Sequence, residues 1–297
     1  MAAPARGTQL LVAHMGTCFR RPGLVALEVL WKWSFGVPLL AVVLAHARRI
    51  REAVAASPQA PAAVDFSNPW TAAAQIAALG HAYEPHIAAL LSWLLPLAIV
   101  GWVLFSGVGR AALLAWMERG ARFRPLAMMA LQAAHLALLA LVVVGWARSV
   151  AWATAAHFPD AGEPDLVSYS AWVIFLSLGF FTLWALLSWP LAVAPVVMLK
   201  QNCSPWAALG HSFRLGKAFT AKLVEISLVM GIVRLALLVL AMVFSAVPLP
   251  FRDELGQETL QTVALAAVAF YFLASDFFQV VRLRSFLEFW KIFRTDC

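Results

Sequence analysis

Six long apolar stretches constrain this chain more than any other feature of its sequence. They lie at about 24–47, 86–108, 125–147, 170–198, 223–247 and 260–281. About 20 consecutive apolar residues form a helix long enough to cross a bilayer. The chain is 63% hydrophobic and only 12% charged, whereas soluble domains are about 25% charged. The sequence therefore predicts an all-α polytopic membrane helix bundle with six transmembrane spans, a single integral membrane domain over 1–297.

Two amphipathic segments are predicted to lie at the membrane surface. In the elbow 204–217, between spans four and five, Ser204 and Pro205 form a helix start with serine as N-cap. Gly216 stands where a C-cap glycine is expected. In the tail 282–294, large apolar residues recur at helical spacing. We expect these interfacial helices to meet lipid headgroups through five side chains: Trp206, His211, Arg214, Lys217 and Trp290.

The distribution of basic residues predicts the orientation of the spans. Apart from Arg234, which lies inside span five, most of the 22 Lys and Arg residues fall on one side of the membrane. The opposite side receives only Arg48, Arg49, Arg51, Arg148 and Arg252. Because loops rich in Lys and Arg stay in the cytoplasm, both termini are predicted to be cytoplasmic. Glu28 and Lys32, on the basic side, have the spacing of an interfacial ion pair.

The elbow also carries a resemblance to a known family. The sequence SPWAALGHSFRLGKAF, followed by an apolar span, resembles the cytoplasmic elbow of uncharacterised six-helix bacterial inner-membrane proteins. That family is related to the membrane domain of some glycerophosphodiester phosphodiesterases. The matching positions are Ala208, Leu209, Ser212, Leu215, Gly216 and Phe219. The resemblance implies a bacterial inner-membrane location. It implies no catalytic residues, and the chain has no room for a soluble phosphodiesterase domain.

Polar groups inside the spans mark the candidate site. Arg234 lies near the middle of span five, where a charge is costly and normally faces protein with a partner. Asp276 in span six is the expected counter-charge. The pair either lines a substrate or ion path or holds the two spans together. Further polar candidates at a similar depth are His135, Thr182 and Gln279, together with Gln132.

The sequence contains no recognised motif for catalysis, phosphate binding or metal binding. A phosphate loop, a G-x-S-x-G elbow and an H-E-x-x-H helix are all absent. Cys18, Cys203 and Cys297 lack the C-x-x-C spacing of metal sites. Outside the spans, His157 and Asp160 match no ligand pattern. We predict no cofactor, no metal and no nucleic-acid partner, because membrane orientation accounts for the basic segments.

Three functions are open on the sequence, all with membrane lipids as partners. The first is a non-enzymatic accessory or scaffold subunit that packs against a larger membrane complex or against itself. The second is a small transporter or channel with a polar site around Arg234 and Asp276, in which Arg234→Ala abolishes flux. The third is a lipid-binding or lipid-modifying protein that acts at the elbow. There, His211 and Arg214 are the obvious reactive and phosphate-binding groups.

Overall fold

The computed structural model describes residues 7–57, 69–118, 122–157, 165–215, 217–246 and 256–295. The model describes the backbone and not the side chains of residues 7–11, 69–70, 73–74, 77, 217–224, 245–246, 257 and 291–295. Within these bounds the chain forms eight α-helices and no strand. They are α1 Gly7–Arg20, α2 Pro22–Ala55, α3 Pro69–Met117, α4 Pro125–His157, α5 Leu166–Gln201, α6 Pro205–Phe213, α7 Lys217–Ala246 and α8 Gly256–Thr295.

Six of these helices, α2 to α5 with α7 and α8, are long and apolar enough to cross a membrane. The predicted six-span helix bundle is thereby confirmed. Large apolar side chains cover the outer surface, including Phe175 and Phe181 on α5 and Leu235 on α7, each more than half exposed. Because so much exposed apolar surface is stable only against lipid, the chain is a multi-pass membrane protein.

All six spanning helices extend beyond the apolar stretches that predict them, α3 and α8 by the most. α3 begins at Pro69 and runs on through Pro85 and Pro96. α8 includes the tail 282–294 in the same helix as span six. Five of the tail's described apolar side chains are buried in the protein core: Leu283, Phe286, Leu287, Phe289 and Trp290. The described apolar face of the tail therefore packs against protein.

The elbow between α5 and α7 starts as the sequence predicts. Asn202 ends α5 in a left-handed conformation with φ 53°, which asparagine tolerates better than most residues. Ser204 is the N-cap of α6, and its hydroxyl oxygen accepts a hydrogen bond of 3.3 Å from the backbone N–H of Ala207. Pro205 opens the helix, where its missing N–H costs nothing.

The end of α6 differs from the prediction. The helix stops at Phe213, and Arg214 is its C-cap, with a backbone N–H that donates to the His211 carbonyl at 3.1 Å. Gly216, the predicted C-cap, lies outside the described residues. α6 is therefore a short helix of about 2.5 turns.

The chain divides into two compact units, a helical body of residues 1–29 and 107–297 and a second unit of residues 30–106. In the second unit, α2 and α3 pack through aromatic rings. The Phe35 ring centroid lies 6.0 Å from that of Trp102 and 5.4 Å from that of Phe105. Gly101 permits this packing, because a Cβ there would lie 2.5 Å from the Phe35 ring.

The helical body is organised around two paired sets of helices, α4 with α5 and α7 with α8. α1 packs against α7 and α8, and the ring centroids of Phe19 and Phe277 are 4.5 Å apart. α6 packs against α4 and α5. α3 approaches α4 closely at Gly107, where a Cβ would lie 3.0 Å from the backbone nitrogen of Met129. The core between these helices is apolar and includes Leu113, Val197, Ile226, Val280 and Phe286.

Candidate functional site

Arg234 lies near the middle of α7, and its guanidinium group bonds to the paired helix α8. Its Nη2 donates to Oε1 of Gln279 at 2.5 Å. Its Nε is buried and has no hydrogen-bond partner among the described residues. A charge at this depth in a membrane is stable only where polar groups surround it. Arg234 therefore identifies the part of the helical body in which a site is to be sought.

Arg282 lies three residues beyond Gln279 on α8, a spacing that places both side chains on one side of the helix. It is close enough to Arg234 for the two charges to repel each other. Its Cζ lies 5.8 Å from the centroid of the Phe286 ring. Its Nε is also buried, and no described group accepts a hydrogen bond from it. Two arginine side chains thus converge from α7 and α8.

Arg110, near the end of α3, is the third arginine of this group. Its charge is repelled by that of Arg234 and attracted by that of Glu28 on α2. The charge of Arg282 is likewise repelled by that of Arg110 and attracted by that of Glu28. Glu28 is only 1% exposed. Four helices thus bring these charges together, and we call Arg110, Arg234 and Arg282 the arginine cluster.

The arginine cluster carries more positive charge than its described neighbours neutralise. Glu28 is the carboxylate that interacts with both Arg110 and Arg282. Asp276, which is 6% exposed, lies one turn before Gln279 on α8. Three guanidinium groups against both carboxylates leave a surplus of positive charge. Because a buried charge without a counter-charge is strongly destabilising, this arrangement favours the binding of an anion.

The structure brings some of the predicted polar candidates to this region and leaves one outside it. His135 packs edge-on against Trp184, with ring centroids 5.1 Å apart, and lies within electrostatic range of Arg110. Gln132, one turn earlier on α4, is buried. Thr182 is exposed, and its hydroxyl donates to a carbonyl of its own helix at 2.8 Å. Thr182 therefore has no part in the cluster.

The sequence alone does not mark three members of the charged group as site residues. Arg110 and Arg282 fall in the basic segments that predict orientation, and Glu28 has the spacing of an interfacial ion pair with Lys32. The structure buries Glu28 in the helical body. One signal was present in the sequence, since Asp276, Gln279 and Arg282 recur every three residues on one helix. That spacing already places polar groups along one side of α8.

The five predicted headgroup contacts have different surroundings. Trp206 is 64% exposed, and Arg214 is exposed as well. His211 is exposed and its ring is hydrogen-bonded to the side chain of Gln201. Trp290 is only 7% exposed and belongs to the apolar core. The side chain of Lys217 lies outside the description.

The titratable groups near the ends of the spans make local contacts. In the described part of the chain, no three His, Cys, Asp or Glu residues gather as a metal site requires. Nδ1 of His81 lies 3.5 Å from Oε2 of Glu84, and His157 bonds to a carbonyl of its own helix. Asp165 caps α5, and hydrogen bonds from Ser168 hold the pKa of its carboxyl group below the usual range.

Comparison of the chain with known protein families, with curated proteins and with solved structures found no match. The resemblance of the elbow to six-helix inner-membrane proteins therefore stays a prediction. The chemistry of the arginine cluster itself carries the functional interpretation.

Proposed function

We propose that this multi-pass membrane protein is a small transporter that binds an anion at the arginine cluster. The observation that carries the proposal is the surplus positive charge of three arginines that act on one another inside the helical body. In two of them, Arg234 and Arg282, a buried Nε has no described acceptor. Guanidinium groups bind anions through charge-assisted hydrogen bonds, and these are stronger where water is excluded.

A purely structural role for Arg234 accounts for less of this arrangement. One polar partner on α8, such as Gln279, suffices to hold α7 and α8 together. Arg110 and Arg282 add repulsion that a structural pair does not need. Perturbed charges of this kind cluster at functional sites, where the ligand completes the balance of charge. The cluster lies on helices that are long and apolar enough to cross a membrane, where the binding site of a transporter is expected.

Thermal unfolding of the purified protein in mild detergent tests the binding site. The probes are chloride, nitrate, sulfate and inorganic phosphate, each as its sodium salt. An anion at 100 times its Kd should stabilise the wild type by about 2.7 kcal/mol. Arg234→Gln should lose this stabilisation. Arg148→Gln, an exposed arginine on α4, removes the same charge and should keep it. Absence of a shift with all four anions in the wild type contradicts the proposal.

Flux into vesicles reconstituted with the protein separates transport from binding. The anion that stabilises the wild type should enter these vesicles, and entry should fall to the protein-free rate for Arg234→Gln. Arg148→Gln should behave as the wild type. An anion that stabilises the protein and does not cross the vesicle membrane would exclude transport and leave a binding site.

The accessory-subunit hypothesis places the function in a partner, and it stays a prediction. Native mass spectrometry of the tagged chain from gently solubilised membranes tests it. A protein partner in fixed stoichiometry would support that hypothesis. A lone chain that retains an anion or a lipid would support the transporter or a lipid-binding protein instead.

We also propose a bacterial inner-membrane location with both termini in the cytoplasm. The bias of Lys and Arg towards the side of the elbow supports this orientation. Reporter fusions after residue 297 and within 158–164 test it. The first should be active only as a cytoplasmic reporter and the second only as an external one.

A further inference from the structure

A second basic feature of the helical body lies outside the arginine cluster. A shallow pocket that is partly open to solvent forms where α3 ends, α4 begins and α5 ends. Its polar wall consists of Arg122, Arg124 and Asn202. Its apolar wall includes Leu114, Met128 and Met198. A concave site that combines apolar lining with a few convergent polar groups is typical of ligand binding.

The guanidinium group of Arg124 is held at the pocket wall. Its Nη1 donates to the backbone carbonyl of Cys203 at 3.2 Å, just before the start of α6. An arginine offers five N–H donors in a planar fork, which suits the oxygens of a phosphate group. Arg122 is exposed at the open side of the pocket and supplies a second such group.

The beginning of α4 adds to the positive potential of the pocket. α4 starts at Pro125, between the lining residues Arg124 and Met128, and runs for 33 residues. The N-terminus of a helix carries about half a positive charge and unpaired backbone N–H groups. Beside the pocket, Lys200 and Glu118 form an ion pair of 2.8 Å that ties the end of α5 to the end of α3. The two arginines and the helix terminus thus attract an anion from one side.

The position of the pocket relative to α6 indicates that it lies at the membrane surface. α6 follows directly after Cys203 and exposes Trp206 and Phe213, which are 64% and 56% exposed. Large apolar side chains exposed on a short helix beside basic residues are typical of the membrane–water interface. A ligand in the pocket is therefore within reach of both the aqueous phase and the acyl chains.

We propose that this pocket binds the phosphate group of an anionic phospholipid. The phosphate lies against Arg122, Arg124 and the start of α4, and the acyl chains extend from the open side of the pocket towards the exposed aromatic side chains of α6. Inorganic phosphate would satisfy the arginines alone and make no use of those aromatic side chains. A zwitterionic lipid would bring its cationic headgroup towards two arginines. The positive charge of the pocket and the exposed aromatic side chains of α6 together select a negatively charged lipid.

Native mass spectrometry of the full chain in mild detergent tests this proposal, with phosphatidylglycerol and phosphatidylcholine as probes. The wild type should retain phosphatidylglycerol in preference to phosphatidylcholine. Arg122→Gln should weaken phosphatidylglycerol retention about tenfold, which corresponds to about 1.4 kcal/mol. Arg214→Gln, an exposed arginine at the end of α6, removes the same charge and should leave retention unchanged. Leu199→Trp fills the pocket without a change of charge and should weaken retention as Arg122→Gln does.

Four results would overturn the proposal. Equal retention of the two lipids by the wild type would remove the selectivity for charge. Equal losses in Arg122→Gln and Arg214→Gln would assign the effect to a diffuse basic surface. Unchanged retention in Leu199→Trp would place the lipid elsewhere. Displacement of phosphatidylglycerol by millimolar inorganic phosphate would assign the pocket to a free anion. None of these variants touches the arginine cluster, so anion binding there is measured separately.

Discussion

Two groups of arginines in the helical body show how position decides what the same side chain does. Arg110, Arg234 and Arg282 repel one another among packed helices, whereas Arg122 and Arg124 line a pocket open to solvent. Dissolved ions screen the charges of the pocket pair. Dissolved ions screen the charges of the cluster much less, and each charge–charge interaction there is therefore stronger. If both bind anions as proposed, an anion should stabilise the fold more at the cluster than at the pocket.

The two groups are also separated by the end of one helix. Arg110 lies within α3, and Arg122 follows the end of that helix at Met117. Both belong to one basic segment of the sequence. The composition of a segment thus predicts the side of the membrane on which it lies. The register of the helix decides which of its charges enters the protein.

The largest expected effect is that of Arg282→Met on the cluster. The variant removes one guanidinium group and leaves the hydrogen bond between Arg234 and Gln279 intact. Anion affinity should fall about 100-fold, or about 2.7 kcal/mol, as expected from the loss of one or two charge-assisted hydrogen bonds. Without anion, the variant should be as stable as the wild type or more stable by about 1–4 kcal/mol, since apolar replacements of buried charges often stabilise. Anion titration and thermal unfolding measure the two effects.

A destabilised Arg282→Met with unchanged anion affinity would assign Arg282 a structural role. The contrast between cluster and pocket would then disappear. Arg148→Met, on the exposed side of α4, is the matched control and should change neither quantity.

A smaller effect, of opposite sign, is expected for Glu28→Gln. The buried carboxylate of Glu28 interacts with Arg110 and Arg282, and it therefore competes with an incoming anion. Its neutralisation should raise anion affinity about tenfold, or about 1.4 kcal/mol. Retention of phosphatidylglycerol by the pocket should not change. A weaker anion affinity would mean that Glu28 holds the arginines in place instead of competing with the ligand.

Ionic strength should distinguish the two groups in a single preparation. Between 50 and 300 mM sodium gluconate, retention of phosphatidylglycerol should fall about threefold, because the screening length shrinks to less than about 10 Å. Anion binding at the buried cluster should change less than about twofold over the same range. Equal sensitivity to salt would show that the cluster is as accessible to solvent as the pocket.

The smallest effect is expected at the ion pair beside the pocket. Glu118→Gln removes the pair with Lys200, whose two side chains are 24% and 14% exposed. Partly exposed pairs contribute about 0.2–1 kcal/mol, so Tm should fall by about 1–3 °C. Lipid retention should change less than about threefold. The double variant Glu118→Gln/Lys200→Met should recover most of the lost Tm. A larger loss of lipid retention in the double variant than in Glu118→Gln would show that Lys200 itself binds the lipid.

The sequence was sufficient to predict the elements whose signals are local. Six apolar stretches predicted six spans, and the pair Ser204–Pro205 predicted the start of α6. Arg234 was recognisable as a buried charge, because charged residues are rare at the middle of a span. Its hydrogen-bond partner lies on α8, where the sequence placed Asp276 and Gln279. These predictions needed only residue type and helical period.

The rest of the site depends on how far helices extend and how they pack. Arg110 lies inside α3 because that helix continues to Met117, and no local signal marks this extension. Glu28 is buried because helices close around it, although its spacing to Lys32 suits a surface pair. Trp290 is of a residue type that is common at lipid headgroups, and it lies in the core. In each case tertiary packing overrides a pattern that is correct for an isolated helix.

The packing of α1 against α8 has a consequence for biogenesis. α1 leaves the ribosome early and α8 late, so the contact between Phe19 and Phe277 forms only after every intervening helix has been synthesised. Until then α7 lacks Gln279, and Arg234 faces lipid or the translocon at a cost of about 2.5–3.5 kcal/mol. The insertion intermediate therefore carries an unsatisfied charge that α8 relieves as it enters. Synthesis order thus couples the completion of the fold to the assembly of its charged centre.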